Sequence, residues 1–390
     1  MVSFTLNEEH EALRSTVEDF AREVVAPDIG DYYQRGEFPY EIIAKMGKLG
    51  LFGLPFPEEY GGMGGDFFAF CLALHELGRV DSSVAITLEA AVALGAMPIY
   101  RFGSATQKEQ WLPALCAGER LAAFGLTEPG GGSDIPGGMR TTARLDGDQW
   151  VIDGSKAFIT NSGTSITSVV TALAITGRSA EANRPQISAI MVPAGTPGFT
   201  VAREYSKVGW CASDTRELAF SGCRVPKANL LGDLGRGYAQ FLQTLDEGRV
   251  AIAALSAGLA QGCVDECIRY ARERKAFGHE IGHYQAIQFK IADMEARAHT
   301  ARLAWYDAAA RLVAAEPFKK QAAIAKLTCS NAAMDNARDA TQIYGGYGFM
   351  NEFPVGRFYR DAKVLEIGEG TSEVQRMVIA RQLGLDRPNA

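Results

Sequence analysis

Apolar residues recur at a helical period from the start of the chain. Leu13, Val17, Phe20 and Val24 share one face, Asn7 ahead of Glu8 and Glu9 predicts a helix cap, and Pro27 ends the pattern. Phe38-Pro39 opens a second helix carrying Ile42, Ile43 and Met46. The run Gly61-Gly62-Met63-Gly64-Gly65 reads as a loop, and helical spacing resumes from Asp66 to about Gly118. The pattern changes between 121 and 235, where short β-prone runs alternate with turns. Thr141–Leu145, Gln149–Ile152, Ser168–Thr176, Ile187–Val192 and Glu217–Phe220 are predicted strands, with Asp146-Gly147 as a hairpin turn. Pro193, Gly195, Pro197 and Gly198 mark another turn. From 236 onward, long Ala-rich amphipathic helices are predicted over 237–274, 284–314 and 319–344, with Pro317 separating the last two.

Helices, then strands, then helices predict a multi-domain α+β chain. The expected boundaries are an N-terminal α-helical domain over 1–120, a middle antiparallel β-domain over 121–235 and a C-terminal helical domain over 236–390. The 390 residues are 47% hydrophobic and 22% charged, which excludes disordered and low-complexity classes. The net charge of −7 argues against nucleic acid, which demands a basic footprint. Val250–Val264 is uncharged but falls short of the roughly 20 apolar residues of a membrane span. No secretory signal core stands at the N-terminus, MVSFTLNEEHE, so a cytoplasmic location is expected. Cys263 and Cys267 share a helix face and read as small buried residues rather than a redox pair. His279 and His283 have i,i+4 spacing without a third ligand, so no metal is expected.

Neither the P-loop, the GxSxG elbow nor a GxGxxG turn after a strand is present. Five other segments carry candidate chemistry. In Phe124-Gly125-Leu126-Thr127-Glu128-Pro129-Gly130-Gly131-Gly132-Ser133-Asp134, three glycines let the backbone approach a bound group, and Thr127 and Ser133 can donate hydrogen bonds. In Lys156–Asn161, strand alternation would put Phe158 and Thr160 on one face, an aromatic surface beside a donor. Arg274, in Arg272–Gly278, offers a planar fork for phosphate, with Gln285 following. Gln342–Phe349 is glycine-rich, and in Glu366–Arg376 glycines flank Glu369 on both sides. A carboxylate on such a turn is open to a substrate, and desolvation would raise its pKa toward that of a useful general base.

Taken together, in this order and spacing, these segments resemble the acyl-CoA dehydrogenase family of flavoproteins from Leu6 to Leu385. The resemblance implies a C-terminal four-helix bundle, a homotetramer, and FAD lying between the β-domain and the C-terminal helices. It places Phe124, Leu126, Thr127, Gly132 and Ser133 around the flavin, and Phe158, Ile159 and Thr160 against its ring. Arg274, Phe277 and Gln285 match positions on the pyrophosphate and adenine side, and Gln342, Gly345, Gly346, Thr371 and Glu373 match further FAD contacts. Ser133, Asp246, Arg249 and Gly370 match positions near the acyl-CoA substrate. Glu369 matches the base that takes the α-proton while the β-hydride passes to flavin N5. The implied product is a trans-2-enoyl-CoA, with electrons passed on to an electron-transfer flavoprotein.

Some relatives carry their base on the helix near 248. Gly248 stands there in this chain, and Glu247 is roughly 100° around the helix. Val84–Met97 has no Arg or Lys, which argues against a dicarboxylic acyl group, while Lys207-Val208-Gly209-Trp210 resembles branched short-chain members. The expected substrate is a short or branched acyl-CoA. Glu89, within an apolar run, reads equally as a pocket floor or a helix-exposed carboxylate. Competing readings are an acyl-CoA oxidase or nitroalkane-type flavin oxidase on the same fold, and a non-catalytic FAD-binding assembly protein.

Overall fold

In the computed structural model, described over residues 6–178 and 184–385, the chain begins with seven α-helices. They are α1 (Glu8–Phe20), α2 (Ile29–Arg35), α3 (Tyr40–Lys48), α4 (Phe67–Gly78), α5 (Ser82–Glu89), α6 (Met97–Phe102) and α7 (Ala105–Cys116). Residues 1–5, part of the stretch read as lacking a signal core, lie outside the described residues. The predicted Asn7 cap forms, its side chain accepting from the His10 N–H at 2.7 Å, and Asp66 caps α4 in the same way, accepting from Ala69 N–H at 2.8 Å. Past Phe20 the first helix continues as one π-turn, Ala21–Val25, before Pro27 interrupts it.

The strands are β1 (Leu121–Gly125), β2 (Thr142–Asp146), β3 (Gln149–Thr160), β4 (Thr167–Arg178), β5 (Pro185–Pro193), β6 (Phe199–Glu204), β7 (Thr215–Pro226) and β8 (Leu230–Leu231). A short helix, α8 (Ile135–Gly138), lies between β1 and β2. The sheet order is β6-β7-β3-β2-β4-β5-β8, and β1 pairs with β4. This corrects the expected all-antiparallel domain to a mixed sheet. β1 runs parallel to β4 from Leu121↔Thr167 to Gly125↔Ala172, and β2 meets β4 in parallel at Thr142↔Ile175. The sequence gives no sign of β1, because a strand buried among its neighbours loses the alternation that marks a half-exposed one. Trp150, Ile152, Ile159, Leu218 and Phe220 fill the sheet's own core.

The C-terminal helices are α9 (Gly237–Glu273), α10 (Gln285–Val313), α11 (Lys319–Tyr344), α12 (Pro354–Leu365) and α13 (Ser372–Gln382). A two-residue hairpin, β9 (Lys275–Ala276) with β10 (His279–Glu280), joins α9 to α10. α9 is the spine. A Cβ at its Gly258 would stand 2.1 Å from the His75 carbonyl, so α4 lies against α9 at backbone distance. Two helical segments, Ser82–Phe102 and Gly237–Glu273, are long and apolar enough to cross a membrane by length and composition. Their apolar windows are 94% and 78% buried, so in this fold they are core.

Buried polar contacts join the three parts at one carboxylate. Asp361, on α12, accepts from Tyr33 Oη at 2.6 Å, from Ser82 Oγ at 2.7 Å and from the Trp210 N–H at 2.7 Å. Trp210 Nε1 donates in turn to Ser82 Oγ at 3.1 Å. Gly209 packs so closely that a Cβ there would lie 2.6 Å from the Arg360 carbonyl. Gly209 and Trp210 thus form a packing joint against α12.

Candidate active site

α5 ends on Glu89, and the chain continues as a π-helix, Ala90–Ala96, a form frequent at functional sites. The turn between α12 and α13 carries Glu369 at φ +52° and Gly370 at φ +89°. A non-glycine residue in that left-handed region is strained and is held there by its surroundings. Gln375 Nε2 donates to the Glu369 carbonyl at 3.2 Å and to the Gly370 carbonyl at 2.8 Å. Lys326, fully buried on α11, donates to the same Gly370 carbonyl at 2.9 Å.

The Glu369 residue keeps some solvent contact, but both of its carboxylate oxygens are buried, as are both of Glu89. Apart from each other, no hydrogen-bond donor among the described residues reaches any of the four. The two carboxyls face each other, and a hydrogen bond between them requires that one keep a proton. Burial pushes the Glu89 carboxyl well up, and the adjacent Glu369 charge pushes it further the same way. Burial also raises Glu369, to about 7, while the hydrogen bond from Glu89 and the Lys326 and Arg249 cations hold it down. Burial raises both carboxyls, so the pair holds a proton, and the Lys326 and Arg249 cations favour ionisation at Glu369. Of the two readings of Glu89, the structure decides for the buried one.

Gly248 lies directly against this pair. A Cβ there would stand 2.5 Å from Glu369 Oε2 and 3.2 Å from Leu94 Cδ2. Glu247 turns away and pairs with Arg101 at 2.9 Å. No second carboxylate on α9 competes with Glu369 for this position. Asp246 is paired with Arg249 and lies 3.5 Å from Lys319. Arg249 is buried, and its Nε has no hydrogen-bond partner among the described residues.

The second cluster of residues surrounds the glycine loop. Phe124 stacks on Phe241 of α9 at 3.9 Å, Leu126 is buried, and the Thr127 carbonyl accepts from Ala157 N–H at 2.9 Å. Gly132 and Ser133 are exposed, and Asp134 caps α8. Phe158 does not obey strand alternation. The β3–β7 register slips between Lys156↔Leu218 and Ile159↔Arg216, and Phe158 sits in this bulge at φ +61°, 65% exposed. Its ring is 5.2 Å from that of Tyr205. The expectation that Phe158 and Thr160 share a simple strand face is thus corrected. Ile159 points into the sheet core, and its carbonyl accepts from Ser162 Oγ at 2.8 Å. Just beyond Thr160, Asn161 Nδ2 donates to the Thr87 carbonyl at 2.9 Å, pinning this segment to α5.

The third cluster lies at the far end of α9. Arg274 and Tyr347 line a cavity of about 460 Å³ with Gly345 and Gly346, the guanidinium 5.6 Å from the tyrosine ring centroid. Nothing lies within 4 Å of where a Cβ would stand on either glycine. Phe277, Gln285 and Gln342 are exposed and do not line this cavity. Thr371 caps α13, its Oγ1 accepting from Val374 N–H at 3.3 Å, and Glu373 is exposed in the first turn. The rings of His279 and His283 stack at 5.0 Å, Cys263 and Cys267 are buried free thiols, and no metal-ligand cluster occurs among the described residues.

Family models now match the chain in three consecutive pieces. They are the acyl-CoA dehydrogenase N-terminal domain over 7–119, the middle domain over 123–223 and the C-terminal domain over 235–384. The chain belongs to the acyl-CoA dehydrogenase family. A probable acyl-CoA dehydrogenase of Bacillus subtilis, YngJ, is 48% identical over 98% of this chain and 100% of its own. The mouse mitochondrial short-chain specific acyl-CoA dehydrogenase is 44% identical over 98% of this chain and 91% of its own. The solved butyryl-CoA dehydrogenase of Megasphaera elsdenii superposes with a TM-score of 0.93 at 39% identity, covering 98% of this chain and 100% of that one. The chain is thus a flavoprotein-family oxidoreductase.

Several of this acyl-CoA dehydrogenase's site residues escaped the sequence reading. Lys326 and Gln375 support the Glu369 turn, and Glu128 and Lys156 form a buried pair at 2.7 Å behind the glycine loop. Glu128 also accepts the backbone N–H groups of Arg140 at 2.6 Å and Thr141 at 3.1 Å, so it fixes both ends of the loop. Lys326 left a readable trace: it sits among Ala322, Cys329 and Ala333 on the buried face of α11. Glu128→Gln should strand the Lys156 ammonium without a counter-charge. The expected cost is about 3 kcal/mol, seen as a lowered unfolding midpoint, and Glu128→Gln/Lys156→Met should recover most of it.

Proposed function

We propose that this chain oxidises a short-chain acyl-CoA to the trans-2-enoyl-CoA with Glu369 as base and FAD as cofactor. The observation that carries the proposal is the Glu369 carboxylate, buried on a left-handed turn against Gly248 and facing the buried Glu89 carboxyl. The residues present fit FAD. Phe158 offers an exposed aromatic surface, Gly345 and Gly346 leave open backbone, and the Arg274 guanidinium faces the same cavity. When bound, FAD supplies an acceptor for the β-hydride.

The chain's own part is proton chemistry. An α-proton beside a thioester is weakly acidic, so its removal needs an ionised base in a dry site and donors for the thioester oxygen. Glu369 takes that proton onto its carboxylate. No carbonyl among the described residues accepts from the Glu369 N–H, which leaves it to serve as such a donor. Activity should rise with pH through about 7, as the base loses its own proton.

A short acyl chain is supported by the relatives, and Leu94 and the Glu369 carboxylate crowd Gly248. The mouse relative is described as short-chain specific and the Megasphaera elsdenii enzyme as a butyryl-CoA dehydrogenase. Steady-state assays with a dye acceptor should give kcat/KM on butyryl-, isobutyryl- or 2-methylbutyryl-CoA at least about tenfold above dodecanoyl-CoA. A maximum at twelve carbons or more would refute the short-chain assignment. The same reading passes electrons to an electron-transfer flavoprotein and assembles the chain as a homotetramer. The exposed rings of Phe277, Phe289 and Phe349 supply apolar surface for that assembly to cover.

A further inference from the structure

The Glu369 turn is held by two donors, and they are not equivalent. Gln375 reaches back from α13, five or six residues away along the same segment. Lys326 comes from α11, carries a charge, is fully buried, and places its Nζ 2.9 Å from the Gly370 carbonyl. It is therefore the charged tie between this turn and the helical bundle.

The groups around it can be named. From α5 comes Glu89, a buried carboxyl that faces Glu369 and is pushed up by burial. From α9 comes Arg249, already paired with Asp246. From the turn and the start of α13 come Glu366 and Glu373; Glu366 lies 2.7 Å from Lys363, and Glu373 is exposed. That leaves Lys326 as the cation next to Glu369 with no carboxylate partner of its own among the described residues. We propose that Lys326 is the positioning residue of the base: it anchors the Glu369–Gly370 turn through the Gly370 carbonyl, and its ammonium keeps Glu369 ionisable against the facing Glu89 carboxyl. This rests on the reading of Glu369 as base. Burial pulls the Lys326 ammonium down to about 8, and the Glu369 charge pulls it back up, so it is still charged where Glu369 ionises.

The test is the pH profile of kcat in the holoenzyme. Lys326→Met keeps the aliphatic stem and removes charge and donor. Its rising limb should move up by roughly one pH unit, with kcat down roughly fivefold near pH 7 and roughly tenfold well below it. The gap from wild type should close above about pH 8, where Lys326 itself loses its proton. Lys326→Arg should restore most of the shift. Lys326→Gln keeps a donor for the Gly370 carbonyl without the charge, and it should show the same displaced limb even if Lys326→Met folds poorly. A loss of kcat equal at every pH, or a limb that stays in place in both Lys326→Met and Lys326→Gln, would overturn the proposal. Glu369→Gln measured alongside separates the two readings. If it keeps turnover, the base assignment has failed. If it is inactive while the Lys326 variants keep the wild-type limb, only the role of Lys326 has failed.

Discussion

Glu369→Gln is expected to lower turnover by roughly ten-thousand-fold while the protein stays folded and yellow. Gln is the same size and can still meet Glu89, so the crowded contact with Gly248 is unchanged. What it cannot do is accept a proton at neutral pH. Rapid mixing with butyryl-CoA separates the steps: binding should persist and reduction of the flavin should stall. An activity within tenfold of wild type would remove Glu369 from the role of base.

Asp361→Ala is expected to cause the largest loss of stability, about 4–5 kcal/mol. The substitution leaves three buried donors, on Tyr33, Ser82 and the Trp210 backbone, without their acceptor, and each such group costs roughly 1–3 kcal/mol. They belong to α2, α5 and the segment before β7, so the loss should loosen the N-terminal helices and the β-domain from α12. Glu369 follows α12 by a single turn, so activity should fall with stability. Thermal unfolding checks the prediction. Asp361→Asn, which keeps one acceptor oxygen, should lose less than Asp361→Ala, and a midpoint for Asp361→Ala equal to wild type would show that the joint does not hold the domains.

The sequence made the helices legible where their apolar period was long. The expected 237–274, 284–314 and 319–344 became Gly237–Glu273, Gln285–Val313 and Lys319–Tyr344. The strands were legible as pieces but not as a sheet. β1, buried beside β4, shows no alternation, and the bulge at Phe158 depends on how β3 registers with β7. The Glu369 turn stood out because glycines flank it. Gly248 and Glu89 drew notice one by one and Lys326 not at all, because the three come from helices far apart in the chain, and only the packing of α5, α9 and α11 brings them together. Glu128 shows the same limit from the other side. It lies inside a segment singled out for chemistry, yet its work is to hold Lys156 and two backbone N–H groups.

The central claim is that this chain removes an α-proton and a β-hydride from a short acyl-CoA. Anaerobic mixing of the holoenzyme with butyryl-CoA, followed in the visible flavin absorption, tests it without any downstream acceptor. The account predicts rapid bleaching by butyryl-CoA, little by dodecanoyl-CoA, and none in Glu369→Gln. A flavin that no acyl-CoA bleaches, or that bleaches equally in Glu369→Gln, would contradict it.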